Sequence, residues 1–217
     1  GAALLAVALG PHKIGDYSTE TDFYGSYADG ARMIQQGRID PTRYGVVGPG
    51  YEVALALVGF LVRDLFAAAE LISIASAIGV LLLWSGLLRR RGNARLALLA
   101  AFFIATNPHF FRFGYTASTD MFALALAAAA LYLLLARAGT RTAAAAGLVA
   151  AVALLTRYTS IVLLPVGLIV AALGGRGAEA AAAGARRREA LAFAGGFVLP
   201  VGAWLAFSLS RGAGFAF

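Results

Sequence analysis

Of the 217 residues, 60% are hydrophobic and only 13% are charged, against roughly a quarter charged in a soluble domain, and a mean hydropathy of +0.78 makes a bilayer the simplest surrounding. The absence of cysteine excludes a disulfide framework and a thiolate metal site. The net charge of +7 comes from arginines in short clusters between apolar runs, a pattern of membrane topology and not of a nucleic-acid-binding face.

In chain order, GAALLAVALG is too short to cross a bilayer and lacks the basic leader of a signal peptide. It is expected to be the exit of a truncated first helix. The C-terminal RGAGFAF has no natural ending, so a piece of a longer chain is expected. Residues 21–50 form the longest polar run and carry Asp22, Asp29 and Asp40, within an expected external loop over 11–52. Within it the spacing predicts a helix over 22–36, with Phe23, Tyr27, Ala31 and Ile34 on one face. Gly37 and Asp40-Pro41 stop it, and such a short helix suits the membrane surface. The apolar part of GPGYEVALALVGFLV, residues 53–62, falls short of the about 20 residues a crossing needs. It is expected to dip in without crossing.

Residues 65–88 form the first full-length span, interrupted by Glu70 and followed by Arg89-Arg90-Arg91. The apolar run 96–106 ends at Asn107-Pro108, and residues 107–120 form a second polar loop before a span over 121–136. Two short helices, 143–155 and 161–173, meet at Thr156-Arg157-Tyr158-Thr159-Ser160, and a basic stretch with Arg176 and Arg186-Arg187-Arg188 leads to a last span over 190–209. The fold class is therefore all-α, a polytopic membrane bundle treated as one module over 1–217 with short external juxtamembrane helices. With the arginine clusters at 89–95, 137–141 and 176–188 on the cytoplasmic side, the regions 11–52 and 107–120 and the Arg157 turn all face outward. The alanine runs at 127–130, 143–146 and 180–183 suit close helix packing.

Two readings stand for Asp22 and Asp120, each at the start of a helix: helix capping, with Thr19 to Asp22 at capping-box spacing, Ser118 or Thr119 as the cap before Asp120 and the helix dipole favouring both carboxylates, or a carboxylate at a reaction centre. Glu70 inside a span must face the bundle interior or a polar cavity. Arg112 and Arg157 either snorkel to the interface or bind a phosphate bidentately. The tyrosines at 24, 27, 44, 51, 115 and 158 suit an interfacial aromatic belt or sugar stacking. His12 and His109 have no ligand spacing between them, and the chain carries no phosphate-binding Gly loop, Ser-His-Asp order or DxD motif.

The order of segments TDFYGSYADGARMIQQG, RYGVVGPGYEVALAL, LLLWSGLLRRRGNARLALLAA, ATNPHFFRFGYTASTDMFALAL and LLTRYTSIVLLPV resembles the membrane glycosyltransferases of the GT-C superfamily. These include protein O-mannosyltransferases and the aminoarabinose transferases of lipid A. The resemblance implies the N-terminal part of such an enzyme, a multi-pass protein of the cell membrane that takes a sugar from a polyprenyl-phosphate donor. The acceptor would be a hydroxyl on a lipid, glycan or protein. Asp22 then matches the catalytic base, although many relatives have an Asp-Glu pair where this chain has Asp22-Phe23. Asp120 matches the acidic residue of the second external loop. Arg112 and Arg157 fall near the donor; on the sugar-stacking reading of the aromatic residues, Tyr27, Tyr44, Tyr51 and Tyr115 are the candidates to line the substrate. No cofactor is implied beyond the lipid-linked sugar as co-substrate, and a divalent metal is not required. Two other classes remain, a transporter or flippase fragment and a non-catalytic membrane subunit.

Overall fold

The computed structural model describes residues 1–13, 20–44, 47–90, 92–136, 139–173 and 183–213. Among them every regular element is helical, as the composition requires of a chain whose backbone must satisfy itself in lipid. Thr19, Arg91, Arg137, Arg176 and most of the 180–183 alanine run lie outside the described residues.

Helix α1 (Ala2–Ala8) is followed by a π-helical turn at Phe23–Tyr27 that runs into α2 (Ala28–Gln35). Gly37 adopts a positive φ of 75°, the conformation that closes a helix C-terminus. A 3₁₀ turn at Pro41–Arg43 and the short α3 (Gly50–Gly59) come next. Then α4 (Leu65–Arg90) runs for 26 residues, about 39 Å at 1.5 Å per residue, which exceeds the hydrocarbon thickness of about 30 Å. Helices α5 (Ala94–Thr106) and α6 (Pro108–Phe113) are separated only by Asn107. The bundle is completed by α7 (Asp120–Ala136), α8 (Thr140–Thr156), α9 (Leu163–Leu173) and α10 (Ala183–Ser210). A 3₁₀ turn at Tyr158–Val162 joins α8 to α9.

Two expectations change. The loop 107–120 contains a helix, α6, because Asn107 caps it by accepting from the His109 and Phe110 N–H groups, and Pro108 sits at its first position. The basic triplet Arg186–Arg188 belongs to the opening turns of α10 and not to a linker, and α10 continues through Pro200. Among the described residues, α4 and α10 are long and apolar enough to cross a membrane. Apolar side chains face outward, with Leu98 72% and Phe103 69% exposed on α5. Such a surface suits lipid and is too extensive for water.

Helix α8 is the centre of the bundle, packed between α7 and α10. Small residues bring α8 and α10 together: a Cβ on Gly147 would lie 2.1 Å from the Phe193 carbonyl oxygen, and one on Gly196 2.2 Å from that of Ala144. Ala143, Ala146 and Ala150 are buried in the same seam, the contact expected of the alanine run. A second cluster joins Phe23, Ala31, Tyr51 and Leu55 to Ala68, Ala69 and Ile72 of α4. The predicted face of the 22–36 helix is therefore its buried face, with Tyr27 and Ile34 packed against this cluster.

The bundle is polarised. At one end the C-termini of α4 and α7 meet the start of α8 and α10. Arg90 donates to the Ala136 carbonyl at 3.2 Å, and Glu189 accepts from the Gly139 N–H at 2.8 Å. At the other end lie the 20–50 segment, the start of α7 and the α8–α9 turn.

Candidate active site

The α8–α9 turn is held by glycine. A Cβ on Gly50 would meet Thr156 Oγ1 at 2.6 Å and the Leu155 carbonyl at 2.9 Å, and one on Gly48 would meet Leu155 Cδ2 at 2.6 Å. The Gly48-Pro49-Gly50 segment therefore seats the start of α3 directly on the end of α8. The chain then extends at Arg157 (φ −151°, ψ 123°), which turns its side chain away from the α8 axis and across to α7. Arg157 Nη1 lies 3.0 Å from Asp120 Oδ1 and donates to Thr119 Oγ1 at 3.2 Å. Asp120 stands in the first turn of α7, where the helix dipole also favours a carboxylate. The two side chains are 39% and 32% exposed, so the pair is neither sealed in the core nor dissolved in solvent.

This ion pair forms one wall of a cavity of about 490 Å³ between α6, α7 and α9. Most of its lining is apolar, including Phe110, Phe113, Met121, Leu124 and Leu163, while His109, Thr159 and Ser160 add polar groups beside Arg157. An apolar chamber with a charged rim suits a ligand with a hydrocarbon body and an anionic head. A guanidinium has five donors in a fixed fork. The Asp120 contact orients that fork and offsets its charge without using it up.

Tyr27 ties the first polar segment to this pair. It is hydrogen-bonded to Thr119, and the charges of Asp22, Arg157 and Asp120 all act on its hydroxyl. Burial first, then the Asp22 charge, pushes that hydroxyl above its ordinary 10.0, while the Thr119 bond and Arg157 pull it back. The charges of Asp22 and Asp120, 98 positions apart in sequence, thus both act on one tyrosine, while Asp22 itself is exposed and lines neither the cavity nor the pocket behind Tyr27. The Asp22 side chain makes no cap hydrogen bond to the turn at Phe23–Tyr27, and the Thr19–Asp22 capping box lies partly outside the described residues.

Behind Tyr27 lies a smaller pocket of about 160 Å³, lined by Ser26, Tyr27, Arg43, Tyr44, Tyr51, Glu52 and Thr156. Tyr27 and Tyr51 meet edge to face at 5.1 Å, and the buried Tyr51 hydroxyl finds no hydrogen-bond partner among the described residues. The Tyr44 hydroxyl donates to Glu52, whose carboxylate fills the space left by the missing side chain of Gly30. Burial raises the Glu52 carboxyl above its ordinary value, against the Tyr44 bond and Arg43, which lower it. Three of the four tyrosines assigned to substrate therefore share one pocket.

The other two assignments fall elsewhere. The Arg112 guanidinium lies 6.0 Å from the Phe113 ring centroid, and Arg112 is not among the residues lining the larger cavity. Tyr115 is buried, edge to face with His12 at 5.1 Å and with Phe111 at 5.9 Å, and packs in the core. Glu70 does face the bundle interior, buried beside His12 and Glu20. Glu52 and Glu20 were not singled out from sequence, and Thr119 was expected only as a cap of the helix that Asp120 opens. Glu52 had a signal in hindsight, because Gly30 interrupts a helix opposite an acid that opens an apolar run. Among the described residues no three His, Asp or Glu side chains form a metal-ligand group.

Residues 48–204 match the family model described as dolichyl-phosphate-mannose-protein mannosyltransferase. The matched stretch includes Tyr51, Arg112, Tyr115, Asp120 and Arg157, whereas Asp22, Tyr27 and Tyr44 precede it. No curated protein and no solved structure matches the chain.

Proposed function

This chain belongs to the dolichyl-phosphate-mannose-protein mannosyltransferase family, whose members are membrane glycosyltransferases of the GT-C type, and on that footing we propose that Asp22, Asp120 and Arg157 form its reaction centre. The carrying observation is the Asp120–Arg157 ion pair on the rim of an apolar cavity. A polyprenyl phosphate has the same division, with an isoprenoid body and an anionic head. The sugar it carries would project toward Tyr27 and the pocket behind it, where tyrosine rings and the Glu52 carboxylate offer the stacking faces and acceptors that a polyol uses.

In the proposed reaction an acceptor hydroxyl attacks the anomeric carbon on the side opposite the phosphate. The new carbon–oxygen bond forms as the bond to the phosphate oxygen breaks, and the centre inverts. Asp22 takes the hydroxyl proton. The electron pair of the broken bond stays on the lipid phosphate, where Arg157 offsets the growing charge. Asp120 is engaged by Arg157 and so suits orientation of the cation, which leaves Asp22 as the base. A phosphate monoester is an adequate leaving group without a protonating partner, so one base suffices and no metal is invoked.

The family description names mannose on dolichyl phosphate and a protein acceptor. For this chain the proposal extends to a polyprenyl-phosphate sugar and an acceptor hydroxyl on a lipid, glycan or protein. The basic end of the bundle is assigned to the cytoplasm, with the site on the external face of a multi-pass protein. A transporter would place its ionisable residues near mid-membrane, whereas Glu70 stands within the first two turns of α4.

The test is Asp22→Asn in the full-length protein, assayed with a sugar-labelled polyprenyl phosphate. Transfer is expected to fall on the order of 10²- to 10⁴-fold, the range of a lost general base, with donor binding retained. Undiminished transfer by a folded variant rejects the assignment.

A further inference from the structure

Beneath the proposed site lies a buried carboxylate that the reaction does not use. Glu20 is fully buried. Its Oε1 lies 2.9 Å from His12 Nε2 and accepts from the Ala117 backbone N–H at 2.9 Å. His12 is itself buried, with the Phe66 and Tyr115 rings at 5.6 and 5.1 Å, and Glu70 Oε1 stands 3.8 Å from the same imidazole nitrogen. Glu20 lines neither the large cavity nor the pocket behind Tyr27, so it does not touch the space assigned to substrate.

Its position in the chain gives this contact its meaning. Glu20 stands two residues before Asp22, and Ala117 three residues before Asp120. The segment 114–119 is buried without being helical, so its backbone groups need outside partners. Ser73 of α4 donates to the Thr116 carbonyl at 2.6 Å, and Glu20 takes the Ala117 N–H. One anchor thus comes from the bundle and the other from the first polar segment. Between Glu20 and Asp22 there is too little chain for the two to move independently.

We propose that Glu20 is a positioning residue: by holding the Ala117 N–H it sets the first polar segment against the second, so that Asp22 meets the Asp120–Arg157 pair across Tyr27. This rests on the functional reading above. A hydrogen-bond acceptor is all the role requires, which separates Glu20→Gln from Glu20→Ala. Glutamine keeps an oxygen for Ala117; alanine leaves a buried N–H with no partner.

The experiment uses the full-length protein with two readouts. In transfer assays, Glu20→Ala is expected to lower kcat on the order of 100-fold, the scale of a misplaced reacting group, with KM for the donor little changed. Glu20→Gln is expected to restore most of the lost rate. These 217 residues hold no cysteine; with any cysteine elsewhere in the full-length protein replaced, spin labels on Tyr24→Cys and Pro108→Cys report the spacing of the two segments without any turnover. One narrow distance is expected for the parent and Glu20→Gln, and a broadened one for Glu20→Ala. Wild-type kcat in Glu20→Ala, or an unchanged distance there, overturns the proposal. So does a Glu20→Gln variant that is as slow as Glu20→Ala or, where the alanine variant fails to fold, a folded Glu20→Gln variant whose kcat is on the order of 100-fold below the parent's. A parent that transfers no sugar counts against the functional reading alone, since the distance measurement still decides the anchor.

Discussion

The two ends of the bundle handle charge in opposite ways. At the basic end Arg90 reaches the Ala136 carbonyl from an exposed position, and its guanidinium also lies 5.6 Å from the Tyr132 ring centroid. Of the acids there, Glu189 is only half-buried and is partnered by the Gly139 N–H. At the other end Glu20, Glu52 and Glu70 are all buried, and Asp120 is drawn into an ion pair beside an apolar cavity. Burying a carboxylate costs several kcal/mol unless it is partnered. A bundle that needed only to span a membrane could place its acids as it places its arginines. The concentration of desolvated acids at one end is what supports placing the proposed site there.

Substitutions that treat the two ends alike should therefore have unlike effects. The largest is expected at Gly30. Alanine there would gain about 1 kcal/mol of helix propensity, but its Cβ would lie 1.9 Å from Glu52 Oε2. The carboxylate must move and give up the Tyr44 hydroxyl, at a cost of about 1–3 kcal/mol. A net loss of up to about 2 kcal/mol is expected in chemical unfolding, and a stabilised Gly30→Ala variant would show that the Glu52 contact is unimportant.

A finer effect concerns pH. Because burial raises the folded-state Glu52 carboxyl above 4.5, its contribution to stability is fully present below the unfolded value and is lost as pH rises through the folded one. The stability of the parent relative to Glu52→Gln should therefore decline from pH 4 upward, measured by thermal unfolding in one detergent. A difference that is flat or rises with pH contradicts the burial. The smallest effect is expected at the basic end: Arg90→Ala should change stability by less than about 0.5 kcal/mol, as for ordinary surface positions, and leave transfer unchanged. A large loss there would erase the contrast between the ends.

The same contrast describes what could be read from sequence. The apolar spans are legible because length and composition decide them, and α4, α5, α7 and α8 fall within a few residues of their expected limits. The buried face of the 22–36 helix follows from spacing alone. The π turn at Phe23–Tyr27 has no sequence signature, since it differs from an α turn only in which carbonyl each N–H finds. Helix α6 was hidden because Asn107-Pro108 reads equally as a break and as a cap with proline at the first position. Asp120 and Arg157 were each named, but their pairing depends on α7 and α8 running side by side. Glu20 and His12 are unremarkable singly and acquire a role only where three distant segments meet.

The account depends most on Arg157 as the seat of the lipid phosphate. The most direct measurement is binding of a sugar-free polyprenyl monophosphate to the full-length protein in lipid nanodiscs, parent against Arg157→Gln. A loss of at least about tenfold in affinity is expected, in keeping with a charge-assisted hydrogen bond of about 1.5–3 kcal/mol. Equal affinity in a folded Arg157→Gln protein would contradict the assignment of the cavity and of the site built around it.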